Sequence, residues 1–268
     1  MRIGADFFDF SKHTYLMGIL NVTPDSFSDG GVYSDMDAAL YHTEKMIEEG
    51  ADIIDVGGES TRPGCQAVSI QDEIERVVPV IEKIKSEFNI PISLDTYKPD
   101  TALAGIRAGA DMINDIWGLQ YDSRMAGLLA DYDVACCLMH NRKEHDYINF
   151  GEDLFTDLSG ILNTALKAGI KEEKIVLDPG IGFQKTTEEN LWILNNLNLL
   201  RHLGCPWLLG VSRKSVIGNT LRLPVEERLE GTLGVTALAV MQGAGIIRVH
   251  DVKENRRVIN MMEAIKNA

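Results

Sequence analysis

Eight short apolar runs in this 268-residue chain each end on side chains able to hydrogen-bond or carry charge. In order the ends are Asn21; Asp55, followed by Glu59-Ser60-Thr61-Arg62; Asp95-Thr96; Asn114-Asp115; His140-Asn141; Asp178; Ser212-Arg213-Lys214; and Arg248 with His250. Asp95, Asn114 and Asp178 bring carboxylates and an amide from three separate runs. Such a set reads the amino and lactam edges of a flat heterocycle, because a carboxylate accepts from paired N–H donors. Arg248, His250 and Lys214 are cationic or able to become so, and suit a phosphate or pyrophosphate. One polar residue of this kind is commonly a satisfied structural group, and Asp178 with Lys214 also fits a plain ion pair. Eight converging on one mouth point to an enzyme or tight binder of a small polar molecule.

The elements that would position these groups follow from an internal similarity. Gly50-Ala51-Asp52-Ile53-Ile54-Asp55, Gly109-Ala110-Asp111-Met112-Ile113-Asn114 and Gly243-Ala244-Gly245-Ile246-Ile247-Arg248 are three copies of one device. In each, a glycine stops a helix, an apolar strand follows, and a polar residue closes it: Asp55, Asn114 and Arg248. Weaker relatives begin at Gly169 and Gly204. Filling in the rest predicts strands over 15–20, 52–56, 92–95, 112–114, 134–139, 175–178, 208–211 and 246–249. Helices are predicted between them over 34–49, 69–88, from Pro99, and over 123–132, 153–167, 187–203, 225–241 and 253–266. Ser34 with Asp37, and Ser69 with Asp72, have the spacing of capping boxes, and Pro79 predicts a kink in its helix. Strand and helix alternating eight times, with strands apolar on both faces, gives an α/β fold: a (β/α)₈ TIM barrel whose active site lies at the carboxyl ends of the strands. A doubly wound open sheet is the alternative, and Gly18-x-x-Asn21 lacks its glycine-rich phosphate loop. No linker or low-complexity tract divides the chain, so residues 1–268 read as one domain.

The stretch Thr14 to Gly31 delivers Asn21 and then a loop rich in hydroxyls and carboxylates with one aromatic, Phe27. That composition suits a lid over a reacting substrate, and equally an ordinary long connection. A net charge of −14 argues against nucleic acid or an anionic membrane as partner. The N-terminus has no signal-peptide character, and no run approaches membrane-spanning length. Cys65, Cys136, Cys137 and Cys205 form no metal motif and read as reduced thiols of a cytoplasmic protein.

The segments GILNVTPDSFSDGG, DIIDVGGESTRPG, LDTYKPD, INDIWG, LDPGIGFQKT, GVSRKSVIG and IIRVHDV resemble, in order, the signature blocks of dihydropteroate synthase, and they span residues 18 to 252. That resemblance implies a (β/α)₈ barrel that condenses 6-hydroxymethyl-7,8-dihydropterin pyrophosphate with p-aminobenzoate, giving 7,8-dihydropteroate for folate synthesis. It implies that Asp95, Asn114 and Asp178 hold the pterin with Lys214 beside them, and that Thr61, Arg248 and His250 meet the pyrophosphate. Asn21 would help bind Mg²⁺. Phe27, Arg62, Pro63, Phe183, Lys214 and Ser215 would form the p-aminobenzoate pocket, where sulfonamides would compete. Asp95, Asp178, Lys214 and Arg248 would carry the chemistry. The resemblance further suggests a homodimer formed through helices near the C-terminal end. Gln184 departs from the family, which commonly has Gly or Ala there. The rival readings are a corrinoid-dependent pterin-binding methyltransferase domain, which would not need the Asn21–Gly31 loop or the Arg248/His250 anion site, and a non-catalytic pterin-binding protein.

Overall fold

A computed structural model describes residues 1–23, 32–59 and 68–268. A two-residue hairpin comes first, β1 (Arg2–Ile3) against β2 (Asp6–Phe7). Eight parallel strands follow: β3 (Tyr15–Asn21), β4 (Ile53–Gly57), β5 (Ile92–Asp95), β6 (Met112–Asp115), β7 (Ala135–Met139), β8 (Ile175–Asp178), β9 (Leu208–Leu209) and β10 (Ile246–Val249). They hydrogen-bond in the order β8-β7-β6-β5-β4-β3-β10-β9. The two ends of that order meet where Leu177 bridges to Trp207 and its N–H donates to the Pro206 carbonyl at 3.0 Å. The sheet is therefore a closed barrel.

Strand alternation assigns each residue to one of two layers. Leu16, Ile54, Leu94, Ile113, Cys136, Leu177, Leu209 and Ile247 face outward and form one buried core with the helices. Met17, Ile53, Met112, Ala135, Cys137, Val176, Leu208 and Ile246 face inward. Ile3 and Phe8 from the hairpin join this inner cluster and close the amino end of the barrel. Two-residue strands carry no periodicity, so nothing in the sequence pattern announces the hairpin. Above the apolar floor, the interior positions nearer the carboxyl ends include Asn21, Asp55, Ser93, Asp95, Asn114, Asp178 and Arg248, while β7 presents the apolar Met139.

The helices are α1 (Val32–Glu48), α2 (Ile70–Glu87), α3 (Pro99–Ala108), α4 (Arg124–Tyr132), α5 (Phe150–Lys167), α6 (Thr187–Asn195), α7 (Ser215–Leu221), α8 (Leu229–Gln242) and α9 (Val252–Lys266). Ser69 caps α2 by accepting from the Asp72 N–H, as its spacing predicts. The helix continues through Pro79, with Val77, Val80, Ile81 and Ile84 buried on both sides of it. The three repeats behave as one device. Gly50, Gly109 and Gly243 all lie in the left-handed region, at φ of 99°, 113° and 89°, where a side chain would strain the turn into the next strand. The helix expected over 187–203 divides at Asn196, whose side-chain N–H donates to the Trp192 carbonyl at 2.8 Å, and the chain continues as a 3₁₀ turn, Leu197–Leu203. The seven-residue α7 is an addition to the predicted set, and α8 starts at Leu229 after a 3₁₀ turn over Val225–Glu227. Among the described residues no helix is long and apolar enough to cross a membrane.

Candidate functional site

Polar side chains at the carboxyl end of the barrel interior come from β3, β4, β5, β6, β8 and β10. In register, Asp95 lies beside Gly57 on one neighbour and Asn114 on the other. Asn21 lies beside Gly57, with its side-chain Oδ1 3.7 Å from where a Cβ on that glycine would stand. Gly210 likewise leaves room between Arg248 and Asp178: a Cβ there would meet both at 3.9 Å. Glycine at these two interior positions opens the floor of the mouth.

Arg248 ties the strands together. Its Nε donates to Asp55 Oδ2 at 2.6 Å and its Nη2 to Asp95 Oδ2 at 2.7 Å. Asn114 Nδ2 donates to the same Asp55 oxygen at 3.2 Å. Asp55 is fully buried, Asn114 is 4% exposed, and Asp95 and Asp178 are each 6% exposed. The second oxygens of Asp55 and Asp95 and the hydroxyl of Ser93 have no hydrogen-bond partner among the described residues. Buried acceptors without donors are costly, and a ligand edge bearing N–H groups would satisfy them. Across the mouth, Asp178 Oδ1 accepts the Gly180 N–H at 2.8 Å. Lys214 Nζ donates to the Ile181 carbonyl at 2.6 Å and stands 4.8 Å from the centre of the Phe183 ring.

Burial dominates the protonation chemistry. It pushes the Asp95 carboxyl up to about 7; the Arg248 guanidinium opposes the rise, and the Asp55 and Glu73 carboxylates add to it. Burial also raises Asp178, with Lys214 pulling the other way. It lowers Lys214 to about 8 against the attraction of Asp178, and lowers Lys185 to about 7. For Arg248, burial works against the charge, and the carboxylates of Asp55 and Asp95 outweigh it, so this guanidinium stays protonated. The site is a buried set of coupled acids and bases that a polar ligand would re-partner.

The structure thus gathers Asn21, Asp95, Asn114, Asp178, Lys214 and Arg248 at one end of the barrel. His250 is beside them, its backbone N–H and Nδ1 at 3.2 and 3.0 Å from Ser212 Oγ. Phe183 is partly buried, and Ser215 is exposed at the first turn of α7. Phe27, Thr61, Arg62, Pro63, Cys65 and the Ser34 cap lie outside the described residues or side chains. Two strand-end residues do not belong to the mouth. Asp115 accepts the N–H groups of Trp117 and Leu119 at 2.8 and 2.7 Å and shapes a turn. His140 is fully buried, with Nε2 2.9 Å from Asp157 of α5. Expecting every polar residue at these ends to converge overcounts by these two, although the β6 end still contributes Asn114. Sequence reasoning counts Asp55 among the converging ends without giving it a role, and passes over Ser93 and Lys185. For Asp55 the signal is present, because it occupies the repeat position of Asn114 and Arg248. Lys185, whose Nζ donates to the Phe183 carbonyl at 3.0 Å, offers only its place in the GIGFQKT segment. Gln184 before it adopts φ of +43°, a left-handed conformation that favours glycine.

Among the described residues no group of three His, Cys, Asp or Glu side chains is placed to hold a metal. Comparison with known proteins adds the family context. A protein-family profile described as pterin binding enzyme matches residues 17–250. The dihydropteroate synthase of Clostridium beijerinckii is 55% identical over 266 residues, covering 99% of each chain. A Clostridium difficile dihydropteroate synthase solved in the presence of pteroic acid superposes with a TM-score of 0.95 at 49% identity, covering 98% of this chain and 100% of that one. The Xanthomonas albilineans enzyme solved with 4-aminobenzoic acid gives 0.91 at 40% identity, covering 96% and 94%.

Proposed function

Because the chain belongs to the pterin-binding enzymes, and among them to the dihydropteroate synthases, we propose that its barrel mouth joins 6-hydroxymethyl-7,8-dihydropterin pyrophosphate to p-aminobenzoate, releasing pyrophosphate. One observation carries the residue assignment. Asp95, Asn114 and Asp178 converge from three strands, with a buried Asp95 oxygen that has no partner among the described residues. Asp95 and Asp178 accept from the amino and ring N–H edge of the pterin, Asn114 supplies an amide, and Lys214 donates beside them. The whole chain acts as one pterin-binding domain.

The bond between the exocyclic pterin carbon and the pyrophosphate oxygen breaks first, and its electron pair leaves on oxygen. Arg248, held charged by its carboxylates, and His250 stabilise that developing negative charge, with Thr61 completing the anion contacts. The cation left on carbon delocalises into the pterin ring, where the carboxylates of Asp95 and Asp178 favour positive charge. The aniline nitrogen attacks, forms the C–N bond and sheds its proton to solvent. Phe183, Lys214 and Ser215, with Phe27, Arg62 and Pro63, present that ring; alignment supplies up to ~7–11 kcal/mol when ideal. Asn21 offers one neutral oxygen, a donor suited to Mg²⁺ that keeps its waters and its phosphate ligands. When bound, Mg²⁺ neutralises pyrophosphate oxygens.

The cytoplasmic setting is supported by the buried, unpaired thiols of Cys136, Cys137 and Cys205. A homodimer is supported by the outer faces of α8 and α9, where Leu238, Met241, Met261 and Ile265 are exposed.

Pyrophosphate release is measured with purified protein, the dihydropterin pyrophosphate and Mg²⁺, with and without p-aminobenzoate. Release that depends on p-aminobenzoate and matches dihydropteroate formed is the expected result. Tight pterin binding without release under either condition would overturn the reading.

A further inference from the structure

Strand β9 is the shortest of the eight, and it delivers Lys214. Its ladder with β10 covers only Leu208 and Leu209, against Ile246 and Ile247. On its other side a single bridge joins Trp207 to Leu177 of β8. The chain from Gly210 to Lys214 therefore runs on into the mouth beyond any strand pairing.

What holds this stretch is Arg213. It adopts φ of +57°, a left-handed conformation that an arginine keeps only where its surroundings over-determine it. Two helix starts do so. In the first turn of α8, the fully buried Thr232 accepts the Arg213 N–H on its hydroxyl oxygen at 3.1 Å. Arg228, just before that helix, donates from Nη1 to the Arg213 carbonyl at 3.0 Å. Gly218 of α7 leaves room for that guanidinium, since a Cβ there would stand 2.2 Å from its Nη2. At the start of α9, Asp251 accepts from Arg213 Nε at 2.9 Å and from Nη2 at 2.5 Å.

Asp251 is committed to this pair. It is the N-cap residue of α9, where an aspartate ordinarily accepts from the N–H groups of its own helix, yet its side chain makes no capping bond. A bidentate arginine–carboxylate pair fixes orientation as well as distance. It adds little to stability here, because the Arg213 side chain is 36% exposed. Its consequence is geometric. Asp251 follows Arg248 and His250 on one strand end, while Arg213 lies between Ser212, which meets His250, and Lys214. Directly after this turn, Lys214 Nζ reaches the Ile181 carbonyl at 2.6 Å.

We infer that Arg213, clamped by Asp251, is a positioning residue that holds the left-handed turn aiming Lys214 into the mouth, and that it acts on the reaction through Lys214. This rests on the function proposed above, in which Lys214 serves both substrates. Arg248 is placed independently of the clamp, by Asp55 and Asp95.

A double-mutant cycle tests whether the effect runs through Lys214. Steady-state kcat/KM is measured for both substrates in the parent, Arg213→Ala, Lys214→Ala and the double variant. Alanine at position 213 keeps a Cβ on the left-handed backbone, so the change removes the clamp and not the strain. Arg213→Ala should lower kcat/KM on the order of tenfold, the loss expected for a charge-assisted hydrogen bond. In the Lys214→Ala background the same change should cost less than about twofold. Asp251→Asn leaves both backbone bonds of Arg213 in place and is expected to fold, with a urea midpoint close to that of the parent. It should reproduce the Arg213→Ala loss, and the same cycle run with it should give the same result. Arg213→Lys keeps the charge without the planar fork and should fall between Arg213→Ala and the parent. Losses that multiply in the double variants, or kcat/KM unchanged in both Arg213→Ala and Asp251→Asn, would overturn the inference and leave the functional reading standing. A parent chain that forms no dihydropteroate would overturn the functional reading first, and the inference with it.

Discussion

Arg248 and Asp55 stand 193 residues apart in sequence and share a 2.6 Å ion pair at the centre of the barrel mouth. They occupy the same place in two copies of the internal repeat, and the third copy supplies Asn114, which donates to the same Asp55 oxygen. Asp55 thus organises the groups proposed to read the pterin without being one of them. Replacing it by Asn leaves Arg248 paired with Asp95 alone and should lower stability by ~1.5–3 kcal/mol, the range for a hydrogen bond to a charged group. Urea unfolding measures this, and an unchanged midpoint would sink the organising role.

The raised pKa of Asp95, about 7 against an ordinary 3.8, has two consequences of opposite sign. Its folded form binds its proton more tightly than the unfolded chain does. This group's share of stability is therefore fully present below pH ~4 and is lost as pH rises to ~7. Binding of a pterin that donates N–H groups favours the carboxylate, so affinity should rise with pH through ~7. Titration calorimetry across that range should show the rise in the parent. In Asp95→Asn both affinity and turnover should fall and the slope should flatten; unchanged kinetics would remove Asp95 from the site.

The barrel was legible because parallel strands are apolar on both faces and glycine stops precede three of them. The predicted bounds 92–95, 175–178 and 246–249 coincide with β5, β8 and β10. Facing was harder to read than existence. Asn114 points inward and Asp115, one residue on, points outward to its own turn, so a strand-end list cannot separate ligand from structure until register is known. Lys98 carried no signal beyond its place in the LDTYKPD segment, because its partners Glu59 and Glu73 come from separate elements that only packing unites.

Gln184 holds a left-handed backbone at a cost. A non-glycine residue at φ of +43° costs ~1 kcal/mol, but glycine there would give the unfolded chain back a similar entropy. Gln184→Gly should therefore change stability by less than ~1 kcal/mol. Gln184→Val, β-branched at the same φ, should lose ~1–2 kcal/mol more. Thermal melts of the three proteins decide this, and a valine variant as stable as the parent would show that the turn relaxes freely.

The exposed stripe on α8 predicts how two copies would meet. At Gly234 an added Cβ would find nothing within 4 Å, and Leu238 and Met241 continue the same outward face at helical spacing, 39% and 44% exposed. On α9, Met261 and Ile265 lie one turn apart and are 59% and 50% exposed. A twofold interface uses each patch twice, so a single substitution counts twice. Leu238→Glu should cost ~1–2 kcal/mol per protomer and weaken the dimer on the order of a hundredfold. Sedimentation velocity across a concentration series reads this directly. The parent should sediment as a dimer and the variant as a monomer at the same concentration, with the barrel's far-UV circular dichroism unchanged. A parent that sediments at 29.7 kDa at every concentration would show that these apolar faces are not an interface between copies.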